Sequence, residues 1–134
     1  EEREGKPTKV PYSPKPHGGR ASASDPGTWG AFEEAREHAR EHNMSGVGFV
    51  FSEDDPYCGV DLDKCRDPGT GELSESAAEI VAALGSYSEA SPSGTGVHVI
   101  VRGRVPAGGN RKGAVEMYDG GRFFTVTGEA LYSA

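Results

Sequence analysis

Apolar residues recur along this chain with two different periods. Trp29, Phe32, Ala35 and Ala39 follow one another at intervals of three and four, the period of a single helix face. Ser24-Asp25-Pro26-Gly27-Thr28 supplies a turn and an N-cap ahead of them, and Asn43 with Gly46 ends the run, which predicts a helix over about 28–42. A second helix is expected over about 74–84, with Ala77, Ile80, Val81 and Leu84 as its buried stripe. Elsewhere the period shortens to two. Strands are expected at 47–51, 57–63, 87–90, 97–102, 114–118 and 123–127. The turn 52–56 makes the first two of these a hairpin. Residues 67–71 read as a loop, and Gly-rich turns separate the later strands at 91–96, 106–113 and 119–121. Residues 1–27, rich in Pro, Gly, Ser and Lys, read as an extended arm. The order of helix, strand pair, helix and further antiparallel-type strands makes the class α+β.

Strand alternation carries the chemistry, because successive side chains point to opposite faces. Val60 and Leu62 share one face of their strand, while Asp61 and Asp63 share the other. Val97, Val99 and Val101 stand opposite His98, and Val115 and Met117 stand opposite Glu116. If these strands are neighbours, the three carboxylates and the imidazole gather on one side of a sheet. Carboxylates so gathered raise one another's pKa values unless a cation joins them. Mg²⁺ or Mn²⁺, which prefer oxygen ligands and need few carboxylates when phosphates supply the rest, suit Asp61, Asp63 and Glu116. A lone D-x-D is common, and a solvated strand face is the plain alternative. A calcium loop of the EF-hand type is excluded, because its sixth position must be Gly and is Arg66. Ser91-Pro92-Ser93-Gly94-Thr95-Gly96 runs straight into the strand of His98, and its backbone N–H groups and hydroxyls suit phosphate oxygens. An ordinary hairpin turn beside a core histidine would read the same. Arg111, Lys112 and Arg122 bracket Glu116 and carry charge of the sign that neutralises phosphates, although each taken singly reads equally as a surface charge.

Composition narrows the picture further. The 134 residues suit one domain, and no apolar run is long enough for a membrane span. Cys58 and Cys65 make no disulfide framework and no complete zinc site, so a reduced, cytoplasmic compartment is expected. The formal charge of −7 argues against a simple nucleic-acid-coating protein. Its distribution says more. Residues 21–101 hold 15 acidic and 4 basic side chains, whereas residues 1–20 and 102–134 each hold 5 basic and 3 acidic. Positive charge to meet a polyanion would then come from the two ends, and scattered solvated charge is the plain alternative.

The ordered set Gly59-Val60-Asp61-Leu62-Asp63, Ser93-Gly94-Thr95-Gly96-Val97-His98 and Val115-Glu116-Met117-Tyr118-Asp119 resembles the three motifs of the archaeo-eukaryotic primase superfamily. It is most similar to the primase-polymerase branch of phages, plasmids and archaeal mobile elements. Lys9-Val10-Pro11-Tyr12-Ser13-Pro14 and Arg122-Phe123-Phe124-Thr125-Val126-Thr127-Gly128 resemble that branch too, so the similarity covers nearly the whole chain.

The resemblance implies that residues 1–134 form a catalytic domain joining a small α/β unit to an RRM-like sheet, with the active site between them. It implies that Asp61, Asp63 and Glu116 hold catalytic Mg²⁺ or Mn²⁺. His98, Ser93 and Gly94 would meet the nucleotide's phosphates, with Arg122 and Lys112 as further nucleotide-binding cations. Nucleoside triphosphates and template-primer DNA are the implied partners, together with a helicase domain or protein. Relatives usually carry another strand, bearing tryptophans, ahead of the segment matching Glu2–Lys6, and the expectation from the resemblance is that this strand is missing here. Two rival functions use the same residues differently. A nuclease would activate water at the same carboxylates, and a non-catalytic RRM-like module would stack bases on Tyr57, Tyr118, Phe123 and Phe124.

Overall fold

The computed structural model describes residues 9–16, 18–105 and 111–131 in full, and the backbone of 2–3, 6–7 and 132. Of the expected turn at 106–113, residues 106–110 lie outside this set, as do several residues of the arm. In chain order the elements are β1 (Glu2–Arg3), β2 (Lys6–Pro7), α1 (Phe32–Glu41), β3 (Val47–Phe51), β4 (Tyr57–Leu62), α2 (Glu75–Leu84), β5 (Ser88–Ala90), β6 (Val97–Arg102), β7 (Arg111–Lys112), β8 (Val115–Tyr118), β9 (Arg122–Val126) and β10 (Ala130–Tyr132). The class is α+β.

Six strands form the main sheet, in the order β10-β5-β6-β4-β8-β7, and every neighbouring pair is antiparallel. Register follows from the alternating sequence. Val60 lies opposite Val99 and Met117, and Leu62 lies opposite Val97 and Val115. These apolar side chains make one continuous face, against which α2 sets Ala77 and Val81. The helix starts where Ser74 caps it, its hydroxyl accepting from the Ala77 amide at 3.3 Å. It stops at Gly85, whose φ of 55° is the left-handed conformation glycine adopts most easily. Ile80 packs at the margin of the core, and Leu84, expected within the stripe, is 37% exposed.

The second layer is a two-stranded ribbon of β3 and β9 laid over the opposite, polar face. The expected hairpin of 47–51 with 57–63 does not form. β3 pairs with β9, while β4 sits between β6 and β8 in the main sheet. The cause is a layer change at 52–56. Asp55 accepts from the Ser52 and Tyr57 amides at 2.9 and 2.7 Å, and Arg104 donates to the carbonyls of Ser52 and Asp55 at 3.3 and 2.6 Å. This lets Phe51 and Phe124 bury their rings over Gly59, where an added Cβ would lie 2.5–2.6 Å from both.

The first helix is also shorter than its periodicity predicts. Residues Pro26–Thr28 form a 3₁₀ turn capped by Asp25, and Trp29 is extended. The Trp29 indole N–H donates back to the Ser22 carbonyl at 2.7 Å, which holds the tryptophan out of helical register. α1 therefore begins at Phe32. None of its residues is buried, and Phe32 is 60% exposed, so the expected apolar stripe is not a core face.

Candidate active site

In an antiparallel sheet, residues directly opposite each other project from the same face. Asp61 on β4 lies opposite His98 on β6 and opposite Glu116 on β8. Glu89 on β5 lies opposite His98, and Arg111 on β7 lies opposite Glu116. The polar face thus carries one transverse row: Glu89, His98, Asp61, Glu116, Arg111. Three of the four expected catalytic residues occupy consecutive places in it. The fourth, Asp63, lies just past the end of β4, where its N–H donates to the Ala114 carbonyl at 3.0 Å and its side chain is exposed.

Contacts along the row are direct. His98 Nε2 stands 3.5 Å from Asp61 Oδ1. Glu116 is gripped at both oxygens, Oε1 by the Arg111 guanidinium and Oε2 by the Tyr118 hydroxyl. The Arg122 guanidinium lies 4.9 Å over the Tyr118 ring. From the ribbon, Phe124 stacks on the His98 imidazole with ring centres 4.1 Å apart and planes 15° from parallel.

Burial decides the electrostatics. The Asp61 carboxyl is pushed above its ordinary range, first by loss of water, with the Asp63 charge adding to the rise and His98, Lys9 and Arg111 opposing it. The His98 imidazole is pushed down, again chiefly by burial and against the pull of Asp61. Its Nδ1 is buried without a hydrogen-bond partner. A desolvated carboxylate beside further carboxylates is a setting that a hard divalent cation relieves. The donors are all oxygens, as Mg²⁺ and Mn²⁺ prefer. Among the described residues no three Asp, Glu, His or Cys side chains converge as a ready-made cage. The chemistry of the donors fits a cation that shares its coordination with water or phosphate rather than one enclosed by protein.

Beside the row opens a cleft of about 190 Å³, lined in part by Lys9, Asp61, His98, Tyr118, Arg122 and Phe124. Of the expected nucleotide-binding residues, His98 and Arg122 line it. Ser93 and Gly94 do not. They stand in a turn at the sheet end nearest Asp63, where the Thr95 carbonyl accepts from the amides of Cys65 and Arg66 at 2.8 and 2.9 Å. The turn is braced by its own side chains, Ser93 Oγ to Thr95 Oγ1 at 2.8 Å and the Gly96 amide to Ser91 Oγ at 3.1 Å. Lys112 is registered against Val115 and so belongs to the apolar face; Arg111 is the cation beside Glu116.

Three residues outside the expected set also shape the site. Lys9 comes from the irregular arm, where no periodicity points to it. Arg66 donates to the Gly94 carbonyl at 2.9 Å and steadies the turn from outside. Glu89 had a readable signal, since it alternates with Ser88 and Ala90 on a strand that leads straight into the Gly-rich turn.

No family model matches the chain. It is 38% identical over 130 residues to a DNA primase-polymerase of Nitratiruptor phage NrS-1. The match covers 92% of this chain and 18% of the phage protein, so the chain spans less than a fifth of that relative's length. A match over 92% of the chain spans the segment that carries the row.

Proposed function

We propose that this chain is the nucleotidyl-transferring part of a DNA primase-polymerase, adding nucleotides to a primer 3′-hydroxyl on a template during replication of a mobile element. The observation that carries the reading is the registered row His98–Asp61–Glu116 under an aromatic ribbon, in a chain 38% identical to a phage primase-polymerase.

Asp61, Asp63 and Glu116 would hold Mg²⁺ or Mn²⁺. When bound, such ions acidify an attacking hydroxyl and steady the leaving oxygen. The 3′-hydroxyl gives up its proton to water and its oxygen forms a bond to the α-phosphorus, while the bond from that phosphorus to the oxygen bridging the β-phosphate breaks and pyrophosphate departs. His98, kept neutral by burial, offers a ring N–H to a phosphate oxygen. Lys9 and Arg122 bring positive charge to a cleft in an otherwise acidic region, in the pattern that favours developing phosphate charge. Phe124 shields one face of the imidazole from water. Ser93 and Gly94, outside the cleft in the turn at the sheet end nearest Asp63, would meet the triphosphate tail from there. Template-primer DNA and nucleoside triphosphates are the substrates, and a helicase domain or protein is the expected partner.

The test uses an end-labelled primer on a template with Mn²⁺ and all four dNTPs. Wild type is compared with Asp61→Ala/Asp63→Ala on a denaturing gel. Extended products that vanish in the double variant support the proposal. Shortened products lost in the same variant would assign the carboxylates to a nuclease, and a primer untouched by wild type would count against catalysis by this chain.

A further inference from the structure

Glu89 takes no part in the chemistry above, yet it is the most thoroughly bonded carboxylate of the row. It is 2% exposed. Its Oε1 accepts from the Thr127 amide at 2.8 Å, and its Oε2 accepts from the Gly128 amide at 3.1 Å and from the Tyr87 hydroxyl at 2.6 Å. All three donors are neutral. A carboxylate buried among neutral donors is costly to desolvate and persists where no other side chain meets the same demand. Glutamine does not meet it. The amide has one acceptor oxygen, and its –NH₂ group would face a backbone N–H.

The two amides mark a crossing point. At Thr127 and Gly128 the chain leaves β9 in the ribbon and turns, with Gly128 at a φ of 74°, into β10 at the edge of the main sheet. Two further bonds stitch this crossing to β5. The Thr127 hydroxyl donates to the Ala90 carbonyl at 2.8 Å, and the Ala90 amide donates to the Glu129 carbonyl at 3.0 Å. Where the crossing is pinned determines where β9 hangs over the sheet. Three residues before it stands Phe124, whose ring lies on His98. His98 in turn is the cross-strand partner of Glu89. Glu89 therefore holds both members of the stack, the imidazole through the β5–β6 ladder and the phenyl ring through the crossing.

We propose that Glu89 is a positioning residue, which sets the stack of Phe124 on His98 and so holds the imidazole at the angle that meets a nucleotide's phosphate. The phosphate part of this rests on the function proposed above; the stacking part does not. Removing the clamp lets β9 slide and turns the imidazole, which weakens ground-state contact with the nucleotide more than the chemical step.

The test is Glu89→Gln in the whole chain, read in two ways. In histidine-labelled protein, with the signal identified by its loss in His98→Gln, the Phe124 ring current shifts the His98 ring protons upfield in wild type. The shift is expected to collapse towards that of an exposed histidine in Glu89→Gln while circular dichroism stays native. In primer extension, the KM for dNTP is expected to rise about tenfold with kcat changed by less than about threefold. Unmoved His98 signals in folded Glu89→Gln overturn the proposal, as does an unchanged KM beside a lowered melting temperature, which would make the residue merely structural. Should Glu89→Gln fail to fold, Tyr87→Phe removes one donor and keeps both amide bonds. A smaller shift in the same direction then supports the clamp, and none refutes it. A wild type that extends no primer, with the His98 shift still lost in Glu89→Gln, would bring down the proposed function and leave the clamp standing.

Discussion

Asp61 and Leu62 are consecutive residues of one strand, and they belong to two different kinds of protein surface. Leu62 points into the face covered by α2, where it joins Val60, Val97, Val99, Ala77 and Val81 in the apolar core. Asp61 points into the face covered by the ribbon, where the neighbours are an imidazole, two carboxylates and a guanidinium in register. The first face is packed by a helix whose apolar residues meet it at a helical period. The second is covered by aromatic rings from β3 and β9, which leave a cleft beside Asp61. A six-stranded sheet thus separates the work of folding from the work of chemistry by one residue of translation along the chain. A variant on one face should therefore lose one property and spare the other.

The largest expected effect is at Asp61. Asp61→Asn keeps the volume and removes the charge, and nucleotide addition should fall by at least about 10³-fold in kcat, roughly 4 kcal/mol of barrier. Stability should move the other way. Burial holds the Asp61 carboxyl above its ordinary range, so the ionised form is a burden on the fold at neutral pH, and the amide should raise the melting temperature. Leu62→Ala, one residue along, should show the opposite pair of results. Deleting a side chain that is 2% exposed should cost about 2–5 kcal/mol in a denaturant titration, with kcat per folded molecule nearly unchanged. If Asp61→Asn proves destabilising, or Leu62→Ala inactive while folded, the two faces are not separable and the comparison fails.

Both faces were legible in the sequence because strand alternation is a local rule with a long reach. Val60 and Leu62 against Asp61, and Val115 and Met117 against Glu116, need no knowledge of which strands are neighbours. What alternation leaves open is pairing. The short turn at 52–56 reads as a hairpin, and the layer change it makes instead is set by Phe51 meeting Phe124, a contact between distant residues. The two-residue strand β7 and the edge strand β10 carry too few positions to show any period. Lys112 and Arg111 are adjacent cations, and only the register against β8 tells which faces Glu116. In the first helix the period is real, yet its stripe is at most half-buried, because periodicity reports a face and not what covers it. Alternation puts Glu89 on the polar face but hides what it does there, because its partners at 127–128 are backbone amides, which leave no mark in a sequence.

The seam between the layers offers a finer test. Gly59 shares the polar face with Asp61, and both ribbon phenylalanines rest against it. Gly59→Ala places a methyl group where the Phe51 and Phe124 rings now sit, and overpacking of this kind costs about 1–3 kcal/mol. Because Phe124 also stacks on His98, this substitution should weaken stability and nucleotide addition together. It is the position where the separation of the two faces is expected to break down. A Gly59→Ala protein with normal activity would mean that the ribbon is a passive cover.

The smallest effect concerns pH, measured with a chelator present so that no divalent ion competes with protons. The His98 imidazole is held below its ordinary value of 6.5 in the folded chain. A group depressed in this way contributes stability above the unfolded pKa, and that contribution is lost as pH falls from about 6.5 towards the folded pKa. Asp61 runs the other way. Its folded pKa stands above the ordinary 3.8, so protonation favours the folded chain, and stability lost at neutral pH is regained as pH falls through the raised value. Melting temperature in the wild type should therefore dip below pH 6.5 and recover in part at lower pH. The two limbs should come apart in variants: His98→Gln should flatten the first, and Asp61→Asn should flatten the second. Because the two groups lie 3.5 Å apart, each substitution should also displace the limb that remains. A flattened limb with no displacement of the other would mean that His98 and Asp61 titrate independently, and the row would then be a set of neighbours rather than a coupled site.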